Sequence, residues 1–310
     1  MRVLITGATG FVGRVVTTRL LAAGHTVFAL SRDPDAARAR LPESVEIVLW
    51  NAGSGTPNNP HKISILSAAL PASIDAVVHL AGESIAGGLW TASRKKKLWA
   101  SRVEGTKILV AALAESAEQA GRFPAVFVSA SGMGYHGDAG SRVVQPEDPP
   151  GDDFLARMAA AWEAEAQVAS RYGARVCSLR LGMVLGNEGG ALPPQVRVFR
   201  WGLGAVLGSG KQYWPWIGVG AAADLFVEAV QNPAFTGPVH AAAGAPLTQR
   251  EFAGILGRTV RRPVLFRIPT FVLRLFLGEM ADLFLHGQKV APTVDRTLAD
   301  TLRDLLNSDR

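Results

Sequence analysis

A glycine-rich turn directly after the first apolar segment constrains this chain more than any other feature. Residues 6–13 read TGATGFVG, between the apolar residues 3–5 and a segment of helical spacing. Glycine lets a turn's backbone come close to a pyrophosphate, and the following helix presents unpaired N–H groups and the positive end of its dipole. The turn therefore predicts a dinucleotide site, with these candidate binding residues: Gly7, Thr9, Gly10, Phe11, Val12 and Gly13.

Short apolar segments alternate with helical patterns through the first 180 residues, which is typical of an α/β fold with a doubly wound parallel sheet. The expected strands are 3–5, 27–30, 45–49, 76–80, 125–128 and 176–181, and the expected helices are 12–23, 92–119 and 152–171. After Gly182 the sequence is rich in glycine and proline. We therefore expect a nucleotide-binding domain over residues 1–182 and a smaller, mainly α/β substrate lobe over residues 183–310.

Composition excludes several classes of protein. Hydrophobic residues make up 48% and charged residues 19%, a profile of a packed globule and not of a disordered chain. One cysteine cannot form an internal disulfide, and six scattered histidines predict no metal site, so we expect a cytoplasmic protein without a metal. The most apolar late stretch, 264–285, is interrupted by charged residues, and we expect no membrane association.

The net charge of +6 fits an anionic ligand as well as a nucleic acid. The basic run Arg94-Lys95-Lys96-Lys97 lies in a helical pattern, where consecutive side chains fan out by about 100° each and form no single stripe. We therefore expect a small-molecule substrate and no nucleic-acid partner.

The second expected strand ends in Ser31-Arg32, where a carboxylate commonly hydrogen-bonds the ribose of NAD. Arg32 can pair with a 2′-phosphate through two donors and Ser31 can add a hydroxyl, so these residues favour NADP. Two other interpretations stay open. In the first, Arg32 is an ordinary surface arginine. In the second, the loop shifts by one residue and Asp33 binds the ribose.

Eight ordered motifs are similar to those of a known family. They read TGATGFVG at 6–13, HLAGESI at 79–85, SRVEGT at 101–106, SASGMGYHG at 129–137, PPGDDFLARM at 149–158, WE at 162–163, RLGMVLGNEGGAL at 180–192 and GLGAVLGSGKQ at 202–212. The chain resembles the poorly characterised "epimerase family" of atypical, extended short-chain dehydrogenases/reductases, whose members are sometimes labelled cell-division inhibitors. The resemblance continues into the C-terminal helical region. It implies a Rossmann fold, NADP and an undefined, sugar-nucleotide-like substrate, without a known reaction.

The resemblance also places Leu80, Ala81 and Gly82 against the adenosine and its ribose, and it matches Arg102 to a family arginine. Burial of Arg102 has independent support, because the residue falls on an apolar helical stripe with Leu98, Gly105, Leu109 and Leu113. A buried guanidinium must be paired, either with a cofactor phosphate or with a neighbouring carboxylate. We favour the cofactor because Glu104 lies off that face.

The usual catalytic pattern of this superfamily is broken here. Its hydride-transferring members use a serine, and a tyrosine that is activated by a lysine four residues later. Ser131 matches the serine, but the chain contains no Tyr-x-x-x-Lys. In addition, relatives tend to carry Trp-Ile-His-Ile-Asp-Asp where residues 216–221 read WIGVGA, and the C-terminal tail is shorter than expected.

Replacement acid–base groups are Tyr135 and His136, in the loop after the fifth strand. The alternative is that Tyr135 packs under the loop and His136 is solvated. Weaker candidates are Asp152, Asp153 and Glu163, of which the two aspartates are also expected helix caps.

Two classes of function remain open at this point. The first is an NADP-dependent oxidoreductase or epimerase that acts on a small polar substrate. The second is a dinucleotide-binding sensor or regulatory protein with little or no turnover, which the missing Tyr-x-x-x-Lys favours. Turnover of NADPH against a panel of carbonyl compounds would separate them.

Overall fold

A parallel sheet forms the centre of the molecule, which a computed structural model describes for residues 1–50, 69–71 and 73–307. In that part of the chain the strand order is β10-β6-β5-β4-β1-β2-β3, and all neighbours are parallel. The strands are β1 (Arg2–Thr6), β2 (Thr26–Ser31), β3 (Glu46–Leu49), β4 (Ala76–His79), β5 (Val126–Gly132), β6 (Arg175–Leu181) and β10 (Gly237–Ala241). The predicted α/β, doubly wound Rossmann fold is confirmed.

Helices cover both faces of this sheet. They are α1 (Phe11–Ala22), α2 (Pro34–Arg38), α3 (Ala92–Trp99), α4 (Gly105–Ala120), α5 (Phe154–Gln167) and α7 (Val219–Gln231). Alternate strand residues enter two different cores: Val3 and Ile5 pack with Phe226 of α7, whereas Leu4 packs with Leu109 of α4. Burial on both faces explains why the strands read as continuous apolar runs.

The later chain contains two further small sheets. β7 (Met183–Leu185) pairs with β9 (Trp216–Gly218), and β8 (Ala205–Leu207) pairs with β11 (Phe266–Ile268). The accompanying helices are α6 (Leu192–Arg200), α8 (Gln249–Thr259), α9 (Thr270–Leu277), α10 (Asp282–Leu285) and α11 (Leu298–Asn307). The described ranges contain no helix with the length and apolar character needed to cross a membrane.

The predicted division at residue 182 remains a prediction. The chain returns to the central sheet after it, because α7 packs against α1 and β10 pairs with β6. Residues 308–310 of the predicted lobe lie outside the described residues. So does His61, one of the six histidines counted in the prediction of no metal site.

His286 connects this later part of the chain to the sheet domain. Its Nδ1 lies 3.0 Å from Oδ2 of Asp153, and its Nε2 lies 3.3 Å from Oδ1 of Asp282. Asp153 is the N-cap of α5, where Oδ1 accepts the N–H of Ala156 at 2.8 Å, so one of the two expected caps is confirmed. The hydrogen bond to Asp153 raises the pKa of His286, burial opposes this, and the charge of Asp282 adds to it.

We therefore expect His286 to stabilise the fold in its protonated form. Because its folded-state pKa lies above the ordinary value of 6.5, its contribution is fully present below pH 6.5 and is lost as the pH rises through the raised pKa. Thermal unfolding of the wild type and His286→Asn should differ more at pH 5.5 than at pH 9. Burial lowers the pKa of His25, so His25→Asn should show the opposite trend. A pH-independent difference for His286→Asn would contradict this assignment.

Candidate cofactor and active site

The first and last glycines of the turn are tightly surrounded by backbone atoms, whereas the central glycine, Gly10, is exposed. Gly7 has a φ of +70°, and a Cβ placed on it would lie 2.8 Å from the Leu80 carbonyl carbon. A Cβ on Gly13 would lie 2.0 Å from the Gly7 carbonyl oxygen. Gly10 is the exposed N-cap of α1, and no side chain caps that helix. The first-turn N–H groups of α1 are therefore suitably placed to bind a phosphate.

A buried hydrogen-bond chain fixes the adjacent end of β4. The Thr6 hydroxyl accepts the N–H groups of Leu80 and Ala81, at 3.2 and 3.1 Å, and lies 2.7 Å from Nδ1 of His79. Nε2 of His79 lies 2.8 Å from the Thr106 hydroxyl. Burial lowers the pKa of His79 to about 4, so the ring is neutral. Sequence reasoning assigned no role to Thr6 or His79.

The end of β2 carries the residues expected to select the cofactor. The Ser31 hydroxyl donates to the Asp33 carbonyl at 2.8 Å. Oδ1 of Asp33 accepts the N–H of Ala36 at 3.0 Å and so caps α2. Arg32 is exposed and makes no ion pair or hydrogen bond with the described part of the chain. Among the described residues nothing pairs with its guanidinium, whereas the Asp33 carboxylate already has a helix-capping role.

Arg102 lies in the π-helical turn Ala100–Glu104 that joins α3 to α4, and it is buried, in agreement with the apolar stripe. It donates to the carbonyls of Glu83, at 2.9 Å, and Leu98, at 3.4 Å, and it lies over the ring of Trp162. Burial lowers its pKa to about 10, against the charge of Glu83. A Cβ on Gly82 would meet the guanidinium at 3.1 Å. Arg102 thus supports the Gly82 loop from beneath, and its role towards a cofactor stays a prediction.

Phe11 is held by a loop of the later chain. Cβ atoms built on Gly186, Gly189 and Gly190 would each lie 2.5–2.7 Å from its ring. Arg14, on the same helix, pairs with Glu188 at 3.1 Å. The loop 186–190 therefore packs over the N-terminus of α1. Thr9 and Val12, also predicted to bind cofactor, are half-buried beside it.

A buried ion pair lies at the end of β5. Arg180 of β6 donates from Nε and Nη2 to the two carboxylate oxygens of Glu163, both at 2.8 Å. The Ser131 hydroxyl donates to Oε1 of Glu163 at 2.6 Å. The carboxylate therefore receives three hydrogen bonds, and the Ser131 proton is held by Glu163.

The two candidate acid–base groups contact the same arginine. The Arg180 guanidinium lies 3.4 Å from the ring centroid of Tyr135, and Nη1 lies 3.3 Å from Nε2 of His136. Nε2 of His240 is 2.8 Å from the same His136 nitrogen. Because an arginine can only donate, His136 accepts at Nε2 and carries its proton on Nδ1.

Burial, followed by the charge of Arg180, lowers the pKa of His136 and of His240 to about 4. His136 is 4% exposed, so the interpretation of this residue as solvated is wrong. Its Nδ1 is buried and has no hydrogen-bond partner in the described part of the chain. His136 is therefore a neutral donor and not a proton source near neutral pH.

Other candidates lie at the edge of this cluster or apart from it. Asp153 is occupied by the α5 cap and His286, and the Asp152 carbonyl accepts a hydrogen bond from Arg157. No group of acidic, cysteine and histidine side chains in the described ranges is placed to hold a metal ion. Sequence reasoning missed Arg180 and His240, although a charge inside the apolar run 176–181 was a signal that it must be paired.

Comparisons with known proteins agree with this geometry. The model of the NAD dependent epimerase/dehydratase family matches residues 3–241, and a domain of unknown function, DUF1731, matches residues 268–294. The epimerase family protein Mb2239 of Mycobacterium bovis is 36% identical over 292 residues, which cover 94% of this chain and 90% of that protein. The mouse epimerase family protein SDR39U1 is 34% identical over 303 residues, which cover 96% and 94%.

A solved structure gives the same result. The crystal structure of human epimerase family protein SDR39U1 (isoform 2) with NADPH matches with a TM-score of 0.82 and 30% identity, over 99% of both chains. Since the family model covers most of this chain and these relatives cover nearly all of it, the chain belongs to the NAD dependent epimerase/dehydratase family, among its epimerase family proteins.

Proposed function

We propose that this protein binds NADP(H) in preference to NAD(H) and is an oxidoreductase or epimerase of a small polar substrate. The observation that carries the proposal is Arg32, an exposed guanidinium at the end of β2 with no ion-pair partner among the described residues, beside an Asp33 carboxylate that already caps α2. A carboxylate facing the ribose would repel a 2′-phosphate, whereas arginine pairs with one. The human relative crystallised with NADPH supports the same choice.

Different residues of the chain would hold different parts of such a cofactor. The α1 N-terminus at Gly10 would receive the pyrophosphate, and the loop after β4 would face the adenosine ribose. Arg32 would receive the 2′-phosphate, and Ser31 could donate to it by giving up its hydrogen bond to the Asp33 carbonyl. NADPH, when bound, supplies a hydride. We also propose a cytoplasmic location, because the sequence has a single cysteine and so cannot form an internal disulfide.

Ser131 and Tyr135 are the proposed groups for positioning and proton exchange. With its proton donated to Glu163, the Ser131 oxygen accepts a hydrogen bond from a substrate hydroxyl, but donating to a carbonyl requires it to leave Glu163. This orientation favours a hydroxyl-bearing substrate, consistent with a sugar-like one. His136 is neutral, and its Nδ1 is buried without a partner in the described part of the chain, so we give it no proton-exchanging role.

A second candidate function is a binding protein with weak or no turnover. Arg180 is the cation beside Tyr135, but Glu163 neutralises its charge. A paired charge polarises a nearby phenol far less than a free one. This pairing favours the sensor interpretation.

Arg32→Ala should weaken NADPH binding by roughly 1.5–3 kcal/mol, the range for hydrogen bonds to a charged group, and leave NADH binding nearly unchanged. Fluorescence titration of both cofactors measures the two affinities. Arg38→Ala is the matched control, since Arg38 is an exposed arginine that pairs with Asp35, three residues before it. Equal parental affinities for the two cofactors would refute the preference.

Gly10→Val should abolish cofactor binding and preserve the fold. A Cβ at Gly10 would meet only the Gly7 carbonyl oxygen, at 3.1 Å, so the branched side chain occupies ligand space. Gly254→Val is the control, because its Cβ would meet only the flexible end of Arg258. NADPH titration and circular dichroism are the measurements. Parental affinity in Gly10→Val would place the site elsewhere.

If the protein turns over substrate, Ser131→Ala and Tyr135→Phe should each slow single-turnover hydride transfer, by about 10²–10⁴-fold for the proton-exchanging group. Substrates are sought first by NADPH oxidation with carbonyl compounds and NADP reduction with polyols. Tyr172→Phe, at an exposed tyrosine stacked on Phe123, is the control. Unchanged rates in both site variants would exclude these residues. NADPH binding without turnover across both panels would favour the sensor.

A further inference from the structure

The later chain carries a surface that is both apolar and basic, formed by residues 192–211 and 258–278, which we call the basic apolar face. Five of its large apolar side chains are 70% or more exposed: Trp201, Leu265, Phe271, Leu275 and Phe276. Of the thirteen exposed large hydrophobic residues in the described part of the chain, eight lie in these two segments. The same segments contain eight lysines and arginines and no aspartate or glutamate.

These two segments form one ordered unit. Phe266 of β11 lies opposite Ala205 of β8 in the strand pair. Nε of Arg262 donates to the Arg200 carbonyl at 3.1 Å, and Nε of Arg267 donates to the Gly208 carbonyl at 2.8 Å. The exposed apolar side chains therefore belong to segments that hydrogen bonds hold together.

Helix α9 is amphipathic in the sense that a surface-bound helix requires. Leu273 is buried, whereas Phe271 and Leu275, four residues apart, project outward from one side. Arg274, between them, is exposed and pairs with Asp282 at 2.9 Å. The helix is anchored by one apolar side chain and presents others, together with an arginine, to its surroundings.

Eight exposed large apolar side chains on two hydrogen-bonded segments of a folded protein usually mark an interaction site. The charge of the basic apolar face distinguishes between two possible occupants, a second copy of the chain and an anionic lipid bilayer. A second copy would bring eight cations against eight cations, of which only Arg274 has an ion-pair partner in the described part of the chain. A bilayer with anionic headgroups instead accepts the arginines at its phosphates and the aromatic and leucine side chains at the acyl boundary.

We propose that the protein docks through the basic apolar face on the surface of an anionic lipid bilayer. This docking is independent of the cofactor site, which lies at the ends of β1, β2 and β4. It departs from the expectation of no membrane association, which rested on the lack of a spanning segment. A peripheral contact of this kind needs no span.

Flotation with vesicles of phosphatidylcholine containing 30% phosphatidylglycerol tests the proposal. Phe271→Ser/Phe276→Ser should lower the partition coefficient at least about tenfold. Arg258→Gln/Arg261→Gln should lower it about fivefold for each charge removed. Pure phosphatidylcholine vesicles should bind the parent far less. The thermal midpoint and NADPH affinity of all variants should stay at parental values.

Matched controls lie elsewhere on the surface. Leu89→Ser/Val143→Ser removes exposed apolar side chains and Lys96→Gln/Lys97→Gln removes exposed charges outside the basic apolar face, and both should float like the parent. Absence of flotation by the parent, or equal losses in these controls, would overturn the proposal. A dimer in sedimentation velocity that Phe271→Ser/Phe276→Ser dissociates would assign the face to a second copy and also overturn it.

Discussion

A guanidinium in a protein interior must be paired, and the side chains at the ends of β5 and β6 are organised around that requirement at Arg180. The residue is 1% exposed. It holds Glu163 through two hydrogen bonds, and Glu163 in turn holds the Ser131 hydroxyl. The same guanidinium lies on the Tyr135 ring and determines which nitrogen of His136 accepts. Removing the charge would therefore release four side chains at once.

The nucleotide side of the site depends on a different kind of contact. There the backbone segments after β1 and β4 approach so closely that Gly7 and Gly13 have no room for a Cβ, and neutral groups such as Thr6 and His79 complete the hydrogen bonds. The proposed cofactor binding and the proposed proton exchange thus draw on separate interactions. A chain can keep the first after the second has weakened, which is why both proposed functions are compatible with one fold.

The sequence predicted those features that depend on local spacing. Strands buried on both faces read as apolar runs, the glycine spacing located the turn, and the helical stripe indicated the burial of Arg102. It did not reveal which distant side chains meet. Glu163 and Arg180 come from different elements, and His136 meets His240 over a separation of 104 residues. The three-residue strands β7, β8, β9 and β11 were also missed, since glycine- and proline-rich segments of that length carry no periodic signal.

The return of the chain to the central sheet has a consequence for how the molecule can be divided. Residues 183–218 form an excursion whose two ends are both attached to the Rossmann layer, through β6 and α7. A fragment ending at residue 182 would lose β10 and leave the backbone N–H and C=O groups along one edge of β6 unpaired. Such an edge can pair with a strand of another molecule. The fragment would also expose the faces of Val16 and Leu20 that α7 and its neighbours bury. The later chain thus supplies part of the central sheet and its helical cover, so a cut at residue 182 would divide a single packed layer.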